Sequence, residues 1–134
     1  MSSTREQLEL YVDSSLGQAA VPGALRALGF IVHTEVSIFG RVREGIPDPV
    51  WLERAGRDDW VVFTKDARIR YRTAEREALA RAGVRAFVLA GGNLRASDQI
   101  DRFVRNINRI RNACRSPGPF IYAVYSDGIE KIYP

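Results

Sequence analysis

The stretch Trp60-Val61-Val62-Phe63-Thr64-Lys65-Asp66 decides the fold class of this sequence. Its apolar residues are consecutive and rich in valine and aromatic side chains, which is typical of a strand buried on both faces of a parallel sheet. The run ends on a threonine and an aspartate. Because ligands of open α/β sheets bind beyond the carboxyl ends of the strands, this end of the strand is a candidate functional site.

Apolar strand-like segments alternate with helical ones along the rest of the chain. Further strands are predicted over residues 8–13, 30–34 and 84–90. Helices are predicted over residues 16–28 with an interruption at Pro22-Gly23, over 48–55 with Gly56 at the end, over 73–82 and over 97–113. Residues 35–47 are expected to form an irregular connection. This alternation predicts a mostly parallel central sheet between layers of helices.

The C-terminal segment has a different pattern. Residues 120–125 and 129–133 are strand-like and flank Asp127-Gly128, a dipeptide that favours a hairpin turn. We therefore expect a C-terminal antiparallel hairpin at the edge of the sheet. The length of 134 residues suits a single domain covering residues 1–134.

The composition excludes several kinds of functional site and indicates the kind of partner that the protein could bind. The chain carries 20 lysines and arginines against 16 acidic residues, and its pI of about 9.6 suits a polyanionic partner without proving one. One cysteine and one histidine exclude a disulfide framework, a multi-cysteine zinc site and a metal site with two histidines. The sequence opens without a signal-type segment and has no apolar run of about 20 residues, so a cytoplasmic protein without a membrane span is expected.

Three aspartates form the candidate metal site. Asp13 and Asp66 end predicted strands, and Asp48 precedes Pro49 in the favoured order for a helix N-terminus. Because the carboxyl ends of parallel strands share one edge, the three carboxylates could converge, and converging carboxylates need a cation. Hard oxygen ligands suit Mg²⁺ or Mn²⁺. The alternative is structural: Asp48 only caps a helix, and Asp66 only forms a turn.

Four motifs in order resemble the PIN-like domains, and most closely the small VapC-type toxin branch of that family. The resemblance covers about residues 8–90, and the motifs are VDSSLG at 12–17, ALRALGF at 24–30, PDPVWL at 47–52 and VFTKD at 62–66. It implies a PIN-like α/β/α sandwich acting as a metal-dependent endoribonuclease. It further implies that the protein is the toxin of a toxin–antitoxin pair, with RNA as substrate, a cognate antitoxin as partner, and a homodimer as one option for its assembly.

The resemblance also assigns roles to individual residues. Asp13, Asp48 and Asp66 would be the catalytic residues that hold Mg²⁺ or Mn²⁺. Thr64 would support this cluster through hydrogen bonds and, with Lys65, Arg68 and Arg70, would lie on its substrate-binding side. The segment after Asp66 lacks the further acidic residue of many PIN domains, so the choice between one and two metal ions stays open.

Two other classes of protein remain alternatives. A PIN-like module without catalysis could bind nucleic acid or a protein partner, and its carboxylates would then point apart or pair with arginines. In that case Arg68, Arg70 and Arg72 would form a solvated loop or a docking surface for an acidic antitoxin segment. A receiver-type domain is disfavoured, because Asp13 stands alone where a receiver carries an acidic doublet.

Overall fold

A computed structural model describes residues 8–40, 48–66 and 68–134; the side chains of Asp48, Pro49 and Arg70 lie outside this description. The elements in chain order are β1 (Glu9–Val12), a 3₁₀ turn (Ser14–Leu16), α1 (Ala20–Ala27), β2 (Ile31–Thr34), α2 (Glu35–Phe39), α3 (Asp48–Arg57), β3 (Val61–Thr64), α4 (Arg68–Tyr71), α5 (Thr73–Ala82), β4 (Arg85–Leu89), α6 (Ala96–Arg105), α7 (Ile107–Ala113), β5 (Phe120–Tyr125) and β6 (Gly128–Tyr133).

The strands form one sheet in the order β2-β1-β3-β4-β5-β6. All neighbouring pairs are parallel except β5 and β6, which form the antiparallel hairpin. The predicted fold class, an α/β/α sandwich with a mostly parallel sheet and a C-terminal hairpin, is therefore confirmed. Strand β3 lies inside the sheet between β1 and β4, and each of its four residues is buried, as the apolar run predicted.

Helices cover both faces of the sheet and create two apolar cores. One core joins the sheet to α1, α6 and α7 through Leu25, Phe103 and Ile110. The other joins it to α3 and α5 through Leu52 and Leu79. Both cores contain side chains from β1, β3 and β4, because alternate residues of a strand point to opposite faces.

Helix α1 runs through the expected interruption. It begins at Ala20, so Pro22 stands in the first turn, where a missing backbone N–H removes no intrahelical hydrogen bond. The Gly23 amide donates to the Ala19 carbonyl at 2.8 Å. The prediction of a break at Pro22-Gly23 was therefore wrong.

The predicted connection over residues 35–47 begins with a helix instead. Thr34 caps α2, accepting a hydrogen bond from the Ser37 amide at 3.1 Å, and the Ser37 hydroxyl accepts one from the Thr34 amide at 2.8 Å. This is a capping box with serine in the place of the usual glutamate or glutamine, which is why the motif was overlooked. Residues 41–47 of the predicted connection lie outside the described residues.

Gly56 does not end α3 but lies inside it. A Cβ atom built at Gly56 would lie 2.0 Å from the Ala82 carbonyl oxygen, so only glycine allows α3 and α5 to approach this closely. The helix continues to Arg57. The sequence pattern predicted that Gly56 ends the helix, whereas Gly56 allows close contact between α3 and α5.

The long helix predicted over residues 97–113 is two helices, α6 and α7, that meet at Asn106. This residue is fully buried, and its amide Nδ2 donates to the carbonyls of Arg102 at 2.9 Å and Tyr125 at 2.7 Å. The side chain therefore ties the end of α6 to β5. Apolar spacing could not reveal this break, because both helices contribute to the same core.

Candidate active site at the carboxyl edge of the sheet

Asp13 lies directly beyond β1, beside the end of β3. The register pairs Val12 with Phe63, and the Asp13 amide donates to the Phe63 carbonyl at 2.9 Å. Asp13 then caps the 3₁₀ turn that follows, and the residue is buried, with 7% of its surface exposed. The parallel pairing thus places Asp13 and Thr64 next to each other at one edge of the sheet.

Two hydroxyl groups donate to the same oxygen of Asp13. Oδ2 accepts hydrogen bonds from Ser15 Oγ at 2.6 Å and from Thr64 Oγ1 at 2.8 Å. Each hydroxyl has one proton, so both protons are committed to Oδ2. Within the described part of the chain Oδ1 takes part in no hydrogen bond, so its lone pairs are not committed to a donor there.

The same two hydroxyls fix the backbone that follows β3. The amide of Lys65 donates to Ser15 Oγ at 3.1 Å, and the amide of Asp66 donates to Thr64 Oγ1 at 3.0 Å. Thr64 therefore bridges the carboxylate of Asp13 and the backbone of Asp66. This bridge links two of the three predicted site residues through a single fully buried hydroxyl.

The carboxylate of Asp66 is engaged by an arginine. Asp66 Oδ1 accepts from the Arg68 amide and from Arg68 Nε at 3.0 Å each, and Oδ2 accepts from Nε at 2.9 Å and from the terminal Nη2. These hydrogen bonds, with the charge of Arg68, hold the pKa of Asp66 below its usual range despite partial burial. Asp66 is therefore ionised at neutral pH.

For Asp48, the structure describes only the position of the backbone. Helix α3 begins at Asp48 and its last residue, Arg57, lies just before β3, so α3 runs opposite to the strands and starts at the carboxyl edge. One turn into α3, the ring of Trp51 stacks on Tyr11 of β1 at 5.4 Å. The first turn of α3 thus lies over the strand that carries Asp13, although the Asp48 side chain is outside the described residues.

No three of the histidine, cysteine, aspartate and glutamate side chains that the structure describes are grouped so as to hold a metal ion. The structure links Asp13 and Asp66 through Thr64 and leaves the contribution of Asp48 undescribed. Two aspartates still fit the chemistry of Mg²⁺, because this ion is commonly bound through one or two carboxylates, keeps several waters and takes further oxygens from phosphates. The donor set is compatible with a hard divalent cation.

Glu35 is an acidic residue at this edge that the sequence analysis missed. Thr34 pairs with Val12, so Glu35 follows β2 just as Asp13 follows β1, and Glu35 is only 5% exposed. Burial raises the pKa of Tyr11 well above its usual range, and the charges of Asp13 and Glu35 raise it further. The sequence contained the same signal for Glu35 as for Asp13 and Asp66, because each of these acidic residues follows an apolar strand.

The predicted substrate-binding residues differ in exposure. Lys65 and Arg68 are exposed beside Asp66, as is Arg72, whereas Thr64 is fully buried and its hydroxyl serves Asp13. The side chain of Arg70 lies outside the described residues. The exposed cations stand on α4 and the adjoining loop, next to the acidic edge.

The sequence was compared with known proteins and with solved structures. A model of the PIN-like domain family matches residues 8–91. A protein of Mycobacterium tuberculosis (strain ATCC 25618 / H37Rv) named "Putative ribonuclease VapC45" is 32% identical over 124 residues, which is 92% of this chain and 90% of that protein. No solved structure matches the chain.

Proposed function

Because this chain belongs to the PIN-like domain family, we propose that it is a metal-dependent endoribonuclease and the toxin of a toxin–antitoxin pair. The observation that carries the proposal is the network in which Thr64 joins the Asp13 carboxylate to the backbone of Asp66. The similarity to a protein named as a ribonuclease supports the same activity.

The proposed metal ligands are Asp13 and Asp66, with Asp48 as a third. Asp13 offers Oδ1, since Oδ2 is occupied by two hydroxyl donors. The start of α3 at the carboxyl edge supports the assignment of Asp48. A bound Mg²⁺ or Mn²⁺ would activate water for attack on a phosphodiester and stabilise the developing charge.

The other residues of the site act by positioning and by charge. The hydroxyls of Ser15 and Thr64 fix the orientation of the Asp13 carboxylate, as outer hydrogen bonds do for metal ligands generally. The buried Thr64 cannot reach an RNA strand, so we assign it this positioning role only. Lys65 and Arg68 are exposed beside the carboxylates, where they can bind phosphates by charge-assisted hydrogen bonds.

The partners follow from the same proposal. RNA supplies the phosphates that the exposed cations would bind, and a cognate antitoxin would cover the site in the inactive complex. A cytoplasmic location is consistent with both partners. No helix in the described ranges is long and apolar enough to cross a membrane.

The test is cleavage of a panel of structured RNAs by the purified protein with Mg²⁺, Mn²⁺ or EDTA. We expect metal-dependent cleavage that falls at least about 100-fold in Asp13→Asn and Asp66→Ala, because each variant removes a carboxylate that would bind the metal. Asp127→Ala is the matched control: Asp127 is an exposed aspartate in the hairpin turn, and this variant should cleave as the wild type does. Cleavage that persists in EDTA and in both site variants would contradict the proposal.

One observation favours a second function, the non-catalytic binding module. Asp66 is paired with Arg68, which is the arrangement expected if the acidic residues have a structural role. Under that function the protein would bind RNA or a protein partner without cleaving RNA under any metal condition. The cleavage assay, run beside an RNA-binding assay, separates the two functions.

A further inference from the structure

The pair of Asp66 and Arg68 occupies atoms that the proposed metal would need. Both oxygens of Asp66 accept hydrogen bonds from the Arg68 guanidinium. A divalent cation and a guanidinium compete for the same lone pairs of a carboxylate. The contact therefore opposes metal binding in the state that the structure shows.

The ion pair between Arg68 and Asp66 is exposed to solvent, so a competing cation can replace the guanidinium. The Arg68 side chain is 48% exposed and that of Asp66 is 24% exposed, and ion pairs in such positions contribute little to stability. The Arg68 amide also donates to Asp66 Oδ1, so the backbone of Arg68 stays next to Asp66 when the guanidinium leaves. The displaced guanidinium would remain within reach of the metal site, because its backbone stays beside Asp66.

A displaced arginine at this position has a natural ligand. Guanidinium groups bind phosphate oxygens through paired hydrogen bonds, with a geometry similar to their contact with a carboxylate. The phosphate of an RNA bound at the metal would lie close to Arg68. The positive charge released from Asp66 would then bind the substrate.

From these contacts we infer that Arg68 is an internal counter-ion of Asp66 that a divalent metal displaces and that then binds a phosphate of the RNA. The inference rests on the proposed function, since it requires metal at Asp66. In this exchange the side chain of Arg68 has opposite effects on the binding of metal and of RNA. Arg68 weakens metal binding to the free protein and strengthens RNA binding to the metal-loaded protein.

The first experiment measures Mn²⁺ affinity by isothermal titration calorimetry on the full-length protein. We expect Arg68→Ala to bind Mn²⁺ about two- to fivefold more tightly than the wild type, because the competing ion pair is lost. Arg72→Ala is the matched control. It removes the same charge from an exposed arginine whose charge lowers the pKa of Asp66 less than the hydrogen bonds of Arg68 do, so its effect should be smaller. Arg68→Lys keeps the positive charge but loses the paired hydrogen bonds of the guanidinium, so its Mn²⁺ affinity should lie between those of the wild type and Arg68→Ala.

The second experiment measures binding of a 2′-O-methyl RNA oligonucleotide by fluorescence anisotropy at saturating Mn²⁺, and a denaturing gel after each titration establishes that the RNA is intact. Arg68→Ala should bind this RNA several-fold more weakly than the wild type, the reverse of its effect on Mn²⁺. Circular dichroism melts of each variant establish that the affinities refer to folded protein.

The outcomes distinguish this inference from the proposed function. If Arg68→Ala binds Mn²⁺ no more tightly than the wild type, or binds the RNA equally well, the exchange is overturned while the nuclease proposal stands. If the wild type neither binds Mn²⁺ nor cleaves RNA, both proposals fail. Only the combination of tighter Mn²⁺ binding and weaker RNA binding in Arg68→Ala supports the exchange.

Discussion

At the scale of single residues, Thr64 connects parts of the site that are separate in sequence. Its hydroxyl donates to Asp13, 51 residues away, and accepts from the amide of Asp66. Because Thr64 is fully buried, water cannot replace either contact. An uncharged side chain thus joins the carboxylate of one aspartate to the backbone of another.

This arrangement predicts the effect of replacing Thr64 by valine. Thr64→Val keeps the shape of the side chain but leaves Asp13 Oδ2 with one donor fewer and the Asp66 amide without its acceptor. We expect Mn²⁺ affinity and RNA cleavage to fall by about 10-fold or more, as for other outer hydrogen bonds to metal ligands. Calorimetry and initial cleavage rates measure the two effects.

Thr64→Ser is the matched variant, since it restores the hydroxyl without the methyl group. It should recover most of the Mn²⁺ affinity that Thr64→Val loses. Equal Mn²⁺ affinity of the wild type and Thr64→Val would show that Thr64 serves only the packing of β3.

At the scale of elements, the packing of α3 against α5 sets where α3 begins relative to the sheet. The contact at Gly56 brings the backbone of α3 against the carbonyl of Ala82, the last residue of α5. Trp51, near the other end of α3, packs in the same core as Tyr11 of β1. We therefore expect the position of Asp48 at the carboxyl edge to depend on an interhelical contact about two turns away along α3.

Gly56→Ala tests this contact. The added methyl group would overlap the Ala82 carbonyl, so the helices must separate, and overpacking of this kind costs about 1–3 kcal/mol. Urea unfolding should show the loss as a lower midpoint. Gly23→Ala is the control: Gly23 lies inside α1, a Cβ there meets no atom within 4 Å, and alanine should stabilise the helix by about 0.5–1 kcal/mol.

A Gly56→Ala protein as stable as the wild type would mean that α3 shifts without cost. In that case the contact with α5 does not fix the start of α3, and the placement of Asp48 rests on the direction of α3 and the stacking of Trp51 on Tyr11.

At the scale of the whole molecule, the proposed metal site lies beyond the ends of β1 and β3, so metal binding at these residues would be linked to folding. A ligand that binds only the folded chain raises its stability in proportion to the logarithm of ligand concentration over Kd. The carboxyl ends of these strands separate when the sheet unfolds. The residues proposed to bind the metal would then no longer share a site.

We therefore expect Mn²⁺ to raise the melting temperature of the wild type. At a concentration of 100 times Kd the added stability is about 2.7 kcal/mol, which corresponds to a rise of several degrees for a domain of this size. Asp13→Asn should show little or no rise, and the Asp127→Ala control should rise as the wild type does. Differential scanning calorimetry with and without EDTA gives the comparison, and an equal rise in Asp13→Asn would place the metal elsewhere.

The sequence by itself determined the sheet and the edge where the site lies. The apolar run before Thr64 required a buried parallel strand, and the alternation of strands and helices required covered faces, because both patterns are local and set by burial. Given a parallel sheet, Asp13 and Asp66 had to lie at one edge. The family resemblance added their proposed role as metal ligands.

Only the tertiary structure decided which groups contact one another at that edge. The Thr64 hydroxyl that donates to Asp13 and the burial of Glu35 depend on strand register. The pairing of Arg68 with Asp66, two residues apart, depends on side-chain rotamers, and local apolar patterns encode neither. The same holds for Asn106, which divides a continuous apolar stripe into two helices through a contact with β5. Local periodicity specifies which face of an element is buried, whereas packing between distant segments specifies polar contacts such as Thr64 with Asp13 and Asn106 with Tyr125.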